Sequence, residues 1–252
     1  MKVYFDQQIW SALCKEEIGT EIIKRAGKIS NCKYYLSVAH LEELHSAEKR
    51  ETKDNLGLTG ILESYMKKYA VTGVIKETVD DIRFHEGEIE YQKARDTVWR
   101  VDTIQSVQSI SDLGLKLQKA NGVDPKTLFA GKKQNLDTEY IDVWELDVVR
   151  NYLINFNVEN VKYQDLKTQF PKLNCAMALL FGVLTAVGYK RDKNERLHNS
   201  GEYDIQHAIR ATYCDVFVSD DKRFRSKYKA VAYYMGIPIE IMSFEEFENK
   251  YC

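Results

Sequence analysis

Asp215-Val216-Phe217-Val218-Ser219-Asp220-Asp221 reads as a short strand that ends on a serine and two acids. Val216, Phe217 and Val218 form an apolar run with no polar interruption, the pattern of a strand covered on both faces. A matching piece opens the chain, Lys2-Val3-Tyr4-Phe5-Asp6, and it too closes on an acid. Residues at helical spacing follow each strand: Ile9, Trp10 and Leu13 after the first, and Phe224 through Met235 after the second. Strands alternating with helices build a parallel sheet with helices over both faces. The expected fold class is therefore α/β, a three-layer sandwich around a central parallel sheet.

Working outward, a helix is expected over Glu21 to Ala26, a strand at Tyr34-Tyr35-Leu36, and a helix carrying Leu41, Leu44 and Ala47. At the far end, Ile205, Ala208, Ile209 and Ala211 share a helix face, and Ile237-Pro238-Ile239-Glu240-Ile241 reads as a last strand. Ser243 with Glu246 three residues on is a capping box for a final helix. Between these ends, from about 51 to 195, charged stretches with apolar residues at helical spacing predict a mostly α-helical insertion. Its markers are Ile75-Val79-Ile82 and Val98-Val101-Ile104-Val107, with loops at Asn121 to Pro125 and Gly131 to Lys133. The expected organisation is one domain formed by about 1–50 and 196–252 and interrupted by this block.

The chain has 252 residues and a formal charge of −2, enough for a sizeable core and too little positive charge for a broadly basic nucleic-acid coat. Five cysteines without a CxxC pair read as reduced thiols, with no zinc cluster. The first residues enter a strand with no basic leader, so the expectation is a cytoplasmic protein without a secretory signal. The apolar run Asn174 to Tyr189 is shorter than the ~20 residues of a membrane span and reads as a buried helix, so no membrane partner is expected.

Four acids attract attention as the ends of short strands: Asp6, Glu43, Asp204 and Asp221. Carboxylates gathered at the edge of a parallel sheet stand where such folds place ligands, and several together cannot all ionise without a cation. Magnesium takes hard oxygen ligands and keeps waters, so a few carboxylates suffice for phosphate chemistry. Glu42 competes with Glu43, and Asp220 with Asp221; in each pair the second is preferred. Asp215, at the start of its strand, is expected to be structural.

These pieces together resemble a PIN-domain nuclease. The resemblance lies in Tyr4-Phe5-Asp6, Ser37-Val38 through Glu43-Leu44, Asp204 with its small-residue helix, Val218-Ser219-Asp220-Asp221 with Phe224, and the closing Gly236 to Ile239 and Phe244 to Phe247. It covers about the first fifty and the last sixty residues. It implies a Rossmann-like, PIN-like sandwich that binds Mg²⁺ or Mn²⁺ through Asp6, Glu43, Asp204 and Asp221 and cleaves phosphodiester bonds, as an endoribonuclease. Asp6 would be the central ligand, with Asp204 and Asp221 completing the set and Glu43 orienting water or binding metal. The chain departs from the family at Gln8, where Asn or Ser is frequent, and in the length of its insertion.

Other residues have two readings each. Ser219 could bond a phosphate oxygen or close its strand. His40, a turn before Glu43, and His207, a turn after Asp204, could touch phosphate or shuttle protons, though a helix histidine is more often simply packed. Lys222, Arg223 and Arg225 follow the fourth acid and could grip a nucleic-acid backbone or line a solvated helix face. The acid-rich Asp137 to Asp147 reads as an amphipathic helix through Tyr140, Ile141, Trp144 and Val148, with no second metal site. The partners implied are RNA, single-stranded or structured, and a regulatory protein. The rival reading is a non-catalytic PIN-fold module that binds nucleic acid or protein. A haloacid-dehalogenase-type phosphatase needs a second Asp two residues after the first, where Gln8 stands.

Overall fold

The strand formers at the two ends of the chain meet in one sheet. The structure is a computed structural model that describes residues 1–15, 17–52, 57–70, 74–77, 82–85, 87–100, 138–190 and 198–252. Its strands are β1 (Lys2–Phe5), β2 (Lys33–Tyr34), β3 (Leu36–Ser37), β4 (Val74–Glu77), β5 (Ile82–His85), β6 (Val216–Val218) and β7 (Glu240–Met242). Four of them form a parallel sheet in the order β2-β1-β6-β7. Val3 lies opposite Val216 and Phe5 opposite Val218, so β1 and β6 finish together and the residues after them share the C-terminal edge. At the other edge the Asp215 Oδ2 accepts the Lys2 N–H at 2.7 Å, the structural role expected of that acid.

Side chains alternate across this sheet because successive strand residues face opposite sides. Val3, Phe5, Val216, Val218 and Met242 enter one core, while Tyr4, Phe217 and Ile241 enter the other. The first core is closed by α1 (Gln7–Lys15), α2 (Glu17–Ser30), α3 (Val38–Glu48), α4 (Leu58–Tyr69) and α5 (Glu88–Arg100), through residues such as Trp10, Leu41, Met66 and Tyr91. Across the sheet lie α6 (Asp147–Asn155), α7 (Tyr163–Leu166), α8 (Phe170–Ala186), α9 (His198–Ala211) and α10 (Lys222–Met235). The last helix, α11 (Phe244–Tyr251), returns to the first core through Phe247. Each fully buried large apolar side chain contributes roughly 1.5–3 kcal/mol, so both faces are needed.

The apolar run expected as a buried helix is α8, which starts with Pro171 in its first turn and buries Leu173, Met177, Leu180, Phe181 and Leu184. No helix among the described residues is long and apolar enough to cross a membrane. The Ser243–Glu246 capping box is present in both directions. α10 ends on Gly236 at φ 69°, a left-handed conformation that glycine adopts without steric cost.

The described part of the block between the two ends is mostly helical, as expected, but two stretches differ from the sequence reading. Val74, Ile75 and Ile82 lie in strands, β4 pairing antiparallel with β5 and parallel with β3. Spacing of three and four residues mimicked a helix there, while the β-branched composition favoured a hairpin. Tyr34 to Leu36 is divided between two sheets, β2 serving the main one and β3 the smaller one. The Tyr140 to Val148 stretch is a turn, a 3₁₀ turn at Asp142–Glu145 and then α6, broken at Leu146 where ψ is 131°. Val143, Trp144, Val149 and Leu153 are its buried residues, whereas Ile141 and Val148 are exposed. The apolar positions Val101, Ile104 and Val107 and both loops read at 121–125 and 131–133 lie outside the described residues.

Candidate active site

Of the four acids, one directly follows a strand, one caps a helix and two lie within helices. Asp6 follows β1 and its N–H bonds the Val218 carbonyl at 2.9 Å, which extends the β1–β6 pairing past Phe5. Its own carbonyl accepts from Ile9 and Trp10 to start α1. Asp221 caps α10: its Oδ1 accepts from the N–H groups of Arg223 at 2.8 Å and Phe224 at 2.9 Å. Glu43 lies instead within α3, and Asp204 within α9. Asp204 is neither a strand end nor an N-cap, because the helix begins at His198.

Helix geometry explains why the two helical acids still reach the same edge. A helix that precedes a parallel strand runs back along it, so its earlier turns lie over the C-terminal end of the strand. Asp204 stands about 10 Å before the end of α9, and a three-residue strand such as β6 is also about 10 Å long. α3 starts at Ser37, directly after the extended segment beside β1, and carries Glu43 away from the same edge.

The electrostatics record this convergence. Burial and then Asp6 push the Asp204 carboxyl up to about 7; His207 opposes them, by more than either Asp221 or Glu43 adds. Asp6 is buried and is also raised, first by burial and further by Glu43; His207 and the Ser219 hydroxyl offset part of that. The His207 ring is fully buried, which opposes its charge, yet Glu43, Asp6 and Asp204 outweigh burial and raise its pKa.

Ser219 links two of the acids. Its hydroxyl donates to Asp6 Oδ2 at 2.7 Å and accepts the Asp221 N–H at 3.2 Å. Asp220 turns away: its Oδ1 accepts the Phe244 N–H at 2.9 Å, at the start of α11. Glu42 lies beside Tyr203, which it helps to hold in the neutral form after burial. Arg225 donates to the Ser219 carbonyl and lies 4.0 Å from Asp220 Oδ1, so it braces the loop after β6. Lys222 is exposed and Arg223 half-buried in the first turn of α10.

Neither His40 nor His207 reaches solvent, and the phosphate contact read for them does not fit side chains with no exposed surface. They belong to a buried polar chain instead. His207 Nε2 faces Glu43 Oε2 at 3.7 Å, and its Nδ1 lies 2.7 Å from the Tyr4 hydroxyl. That hydroxyl lies 2.6 Å from Ser37 Oγ, which is 3.3 Å from His40 Nδ1. His40 Nε2 lies 2.8 Å from the Phe5 carbonyl, and its Nδ1 takes the Ser37 N–H at 3.0 Å. A carbonyl only accepts, so Nε2 carries the proton and His40 is neutral. Burial, with His207 beside it, holds its pKa well below the usual range. Tyr4 and Ser37 had no role of their own in the sequence reading; a tyrosine inside an all-apolar strand was the available signal, since a buried phenol needs a partner.

The donor set is chemically suited to a hard divalent cation: oxygen ligands only, crowded enough that one carboxyl holds its proton to about pH 7. The fit is that of a loose acidic cluster, since among the described residues no three His, Cys, Asp or Glu side chains form a ready metal-binding group. Comparisons with protein families, curated proteins and solved structures found no match to this chain.

Proposed function

We propose that this chain is a divalent-metal-dependent nuclease of PIN-like type that hydrolyses phosphodiester bonds in RNA. The observation that supports the reading is the Asp204 carboxyl, pushed up to about 7 by burial and then by Asp6, Asp221 and Glu43, acids supplied by separate parts of the chain. Keeping unpaired carboxylates together is costly, and a site that binds a cation recovers that cost on loading. Asp6, Glu43, Asp204 and Asp221 would hold Mg²⁺ or Mn²⁺. When bound, such an ion polarises a phosphoryl oxygen and lowers the pKa of water.

The residues around the acids have separable tasks in this reading. Ser219 fixes one oxygen of Asp6 and ties the Asp221 backbone to it. The α10 cap occupies Asp221 through Oδ1 alone. Lys222 and Arg223, next in the chain, supply positive charge for the phosphates that flank the one being cut, while Arg225 keeps the loop in shape.

The test compares wild type with Asp6→Asn on a labelled single-stranded RNA in Mg²⁺, in Mn²⁺ and in EDTA. Metal-dependent cleavage should be lost in EDTA and fall by at least ~10²-fold in the variant, as expected when one charge-stabilising group is removed, with the circular dichroism spectrum unchanged. Equal activity in both proteins overturns the site. RNA binding without cleavage under any metal identifies a binding module instead.

A further inference from the structure

The buried chain that begins at Glu43 crosses three elements: α9 through His207, β1 through Tyr4, and the start of α3 through Ser37 and His40. It ends on the carbonyl of Phe5, the residue before Asp6. Its hydrogen positions follow from that end. With Nε2–H of His40 donating to Phe5, Nδ1 of His40 can only accept, from the Ser37 N–H and from the Ser37 hydroxyl.

Two arrangements of the hydroxyl protons then satisfy both hydroxyls and His207 Nδ1, while His207 Nε2 has no hydrogen-bond partner among the described residues and meets Glu43 as an ion-pair contact at 3.7 Å. In one, Ser37 donates to Tyr4 and Tyr4 donates to His207 Nδ1. In the other, His207 Nδ1–H donates to Tyr4, Tyr4 to Ser37, and Ser37 to His40. Both leave His207 Nε2 bearing a proton toward Glu43, because a bare Nε2 would set its lone pair against a carboxylate. The ring also cannot turn without abandoning the 2.7 Å contact with Tyr4. We infer that Tyr4 is a positioning residue that fixes the His207 ring and, through its Nε2–H, sets where the part-exposed Glu43 carboxylate stands relative to Asp6 and Asp204.

The catalytic consequence rests on the nuclease reading; the geometry does not. The experiment separates them by using ¹⁵N-histidine-labelled protein and RNA cleavage side by side. Tyr4→Phe should shift the His207 Nδ1 resonance and Glu43→Gln the Nε2 resonance, with the three of the five histidines outside the Tyr4 chain less affected. Should Tyr4→Phe not fold, Glu43→Gln, at a side chain 23% exposed, reports the other half of the link, the contact between His207 and Glu43. An unmoved His207 in either folded variant overturns the inference, whether or not the protein cleaves RNA. In cleavage, Tyr4→Phe should lower kcat by on the order of 10–10²-fold, the scale of a small misplacement of a reacting group, with KM for RNA little changed. Because Tyr4 acts through Glu43, adding Tyr4→Phe to Glu43→Gln should cost nothing further. Losses that multiply in the double variant overturn positioning through Glu43.

Discussion

Replacing Asp204 with asparagine should make the metal-free protein more stable in alkali, although it removes a polar group from the centre of the site. An ordinary aspartate titrates near 3.8, and burial plus the neighbouring acids push this one up to about 7. Between those values the unfolded chain gives up the proton while the folded protein keeps it, so stability falls as pH rises through the window. The loss is absent below about pH 4 and complete above about pH 7. At ~1.4 kcal/mol per tenfold change in proton affinity it amounts to at most about 4 kcal/mol. The acids share that cost as a coupled group, so Asp204→Asn should recover on the order of 2–4 kcal/mol at pH 8 and nearly nothing at pH 4. For a chain of this size that is roughly 5–15 °C in Tm. His207, raised in the folded state, contributes stability that is also lost as pH rises above its usual value, and that slope remains in the variant. The assay is urea unfolding at pH 4 to 8 in EDTA, repeated with Mg²⁺. In wild type Mg²⁺ should stabilise more at pH 8 than at pH 5, because protons compete for the same oxygens. A variant no more stable than wild type at pH 8, with the same pH slope, refutes the idea that these carboxylates crowd one another.

Three smaller predictions test the surroundings. Asp220→Ala removes the acceptor for the Phe244 N–H and should cost about 1 kcal/mol in urea unfolding, without reducing the stabilisation by Mg²⁺; a lost Mg²⁺ effect would return Asp220 to the site. Tyr228→Phe deletes a buried hydroxyl that has no hydrogen-bond partner among the described residues and should be neutral or stabilising by about 1 kcal/mol, so a clear loss of stability would reveal a hidden partner. Lys222→Ala should weaken RNA binding uniformly across sequences and lower the salt dependence of affinity by about one ion, measured by fluorescence anisotropy at several salt concentrations; an unchanged slope would place RNA elsewhere.

What the sequence disclosed followed local rules. β6 and β1 were legible because three strand formers in a row have few other uses, and the Ser243 capping box because its two residues sit at fixed spacing. Asp6 was read as a strand end and directly follows β1, whereas Asp221, read the same way, lies three residues past β6 as the cap of α10. Glu43 and Asp204 were picked out on a wrong structural premise, since both are on helices; that each stands near Asp6 depends on where two helices cross the sheet, which no local pattern encodes. The hairpin β4–β5 was misread because Ile75 and Ile82, one or two turns apart on a helix, occupy partner strands equally well. The Tyr4 chain was invisible for a simpler reason: its partners are 33 and 203 residues away in sequence.

The central strand β1 has a neighbour on each side, one about thirty residues downstream and the other more than two hundred. During synthesis, β2 can dock early, but the other flank of β1 stays open until β6 has left the ribosome. A nascent or truncated chain that ends before α9 thus carries Asp6 and Glu43 without Asp204, Asp221, Ser219 or His207. The acids cannot crowd one another, the Tyr4 hydroxyl lacks its histidine, and a bare strand edge marks the product as unfinished. Synthesis order thereby completes the acidic edge last, from pieces that are each incomplete on their own.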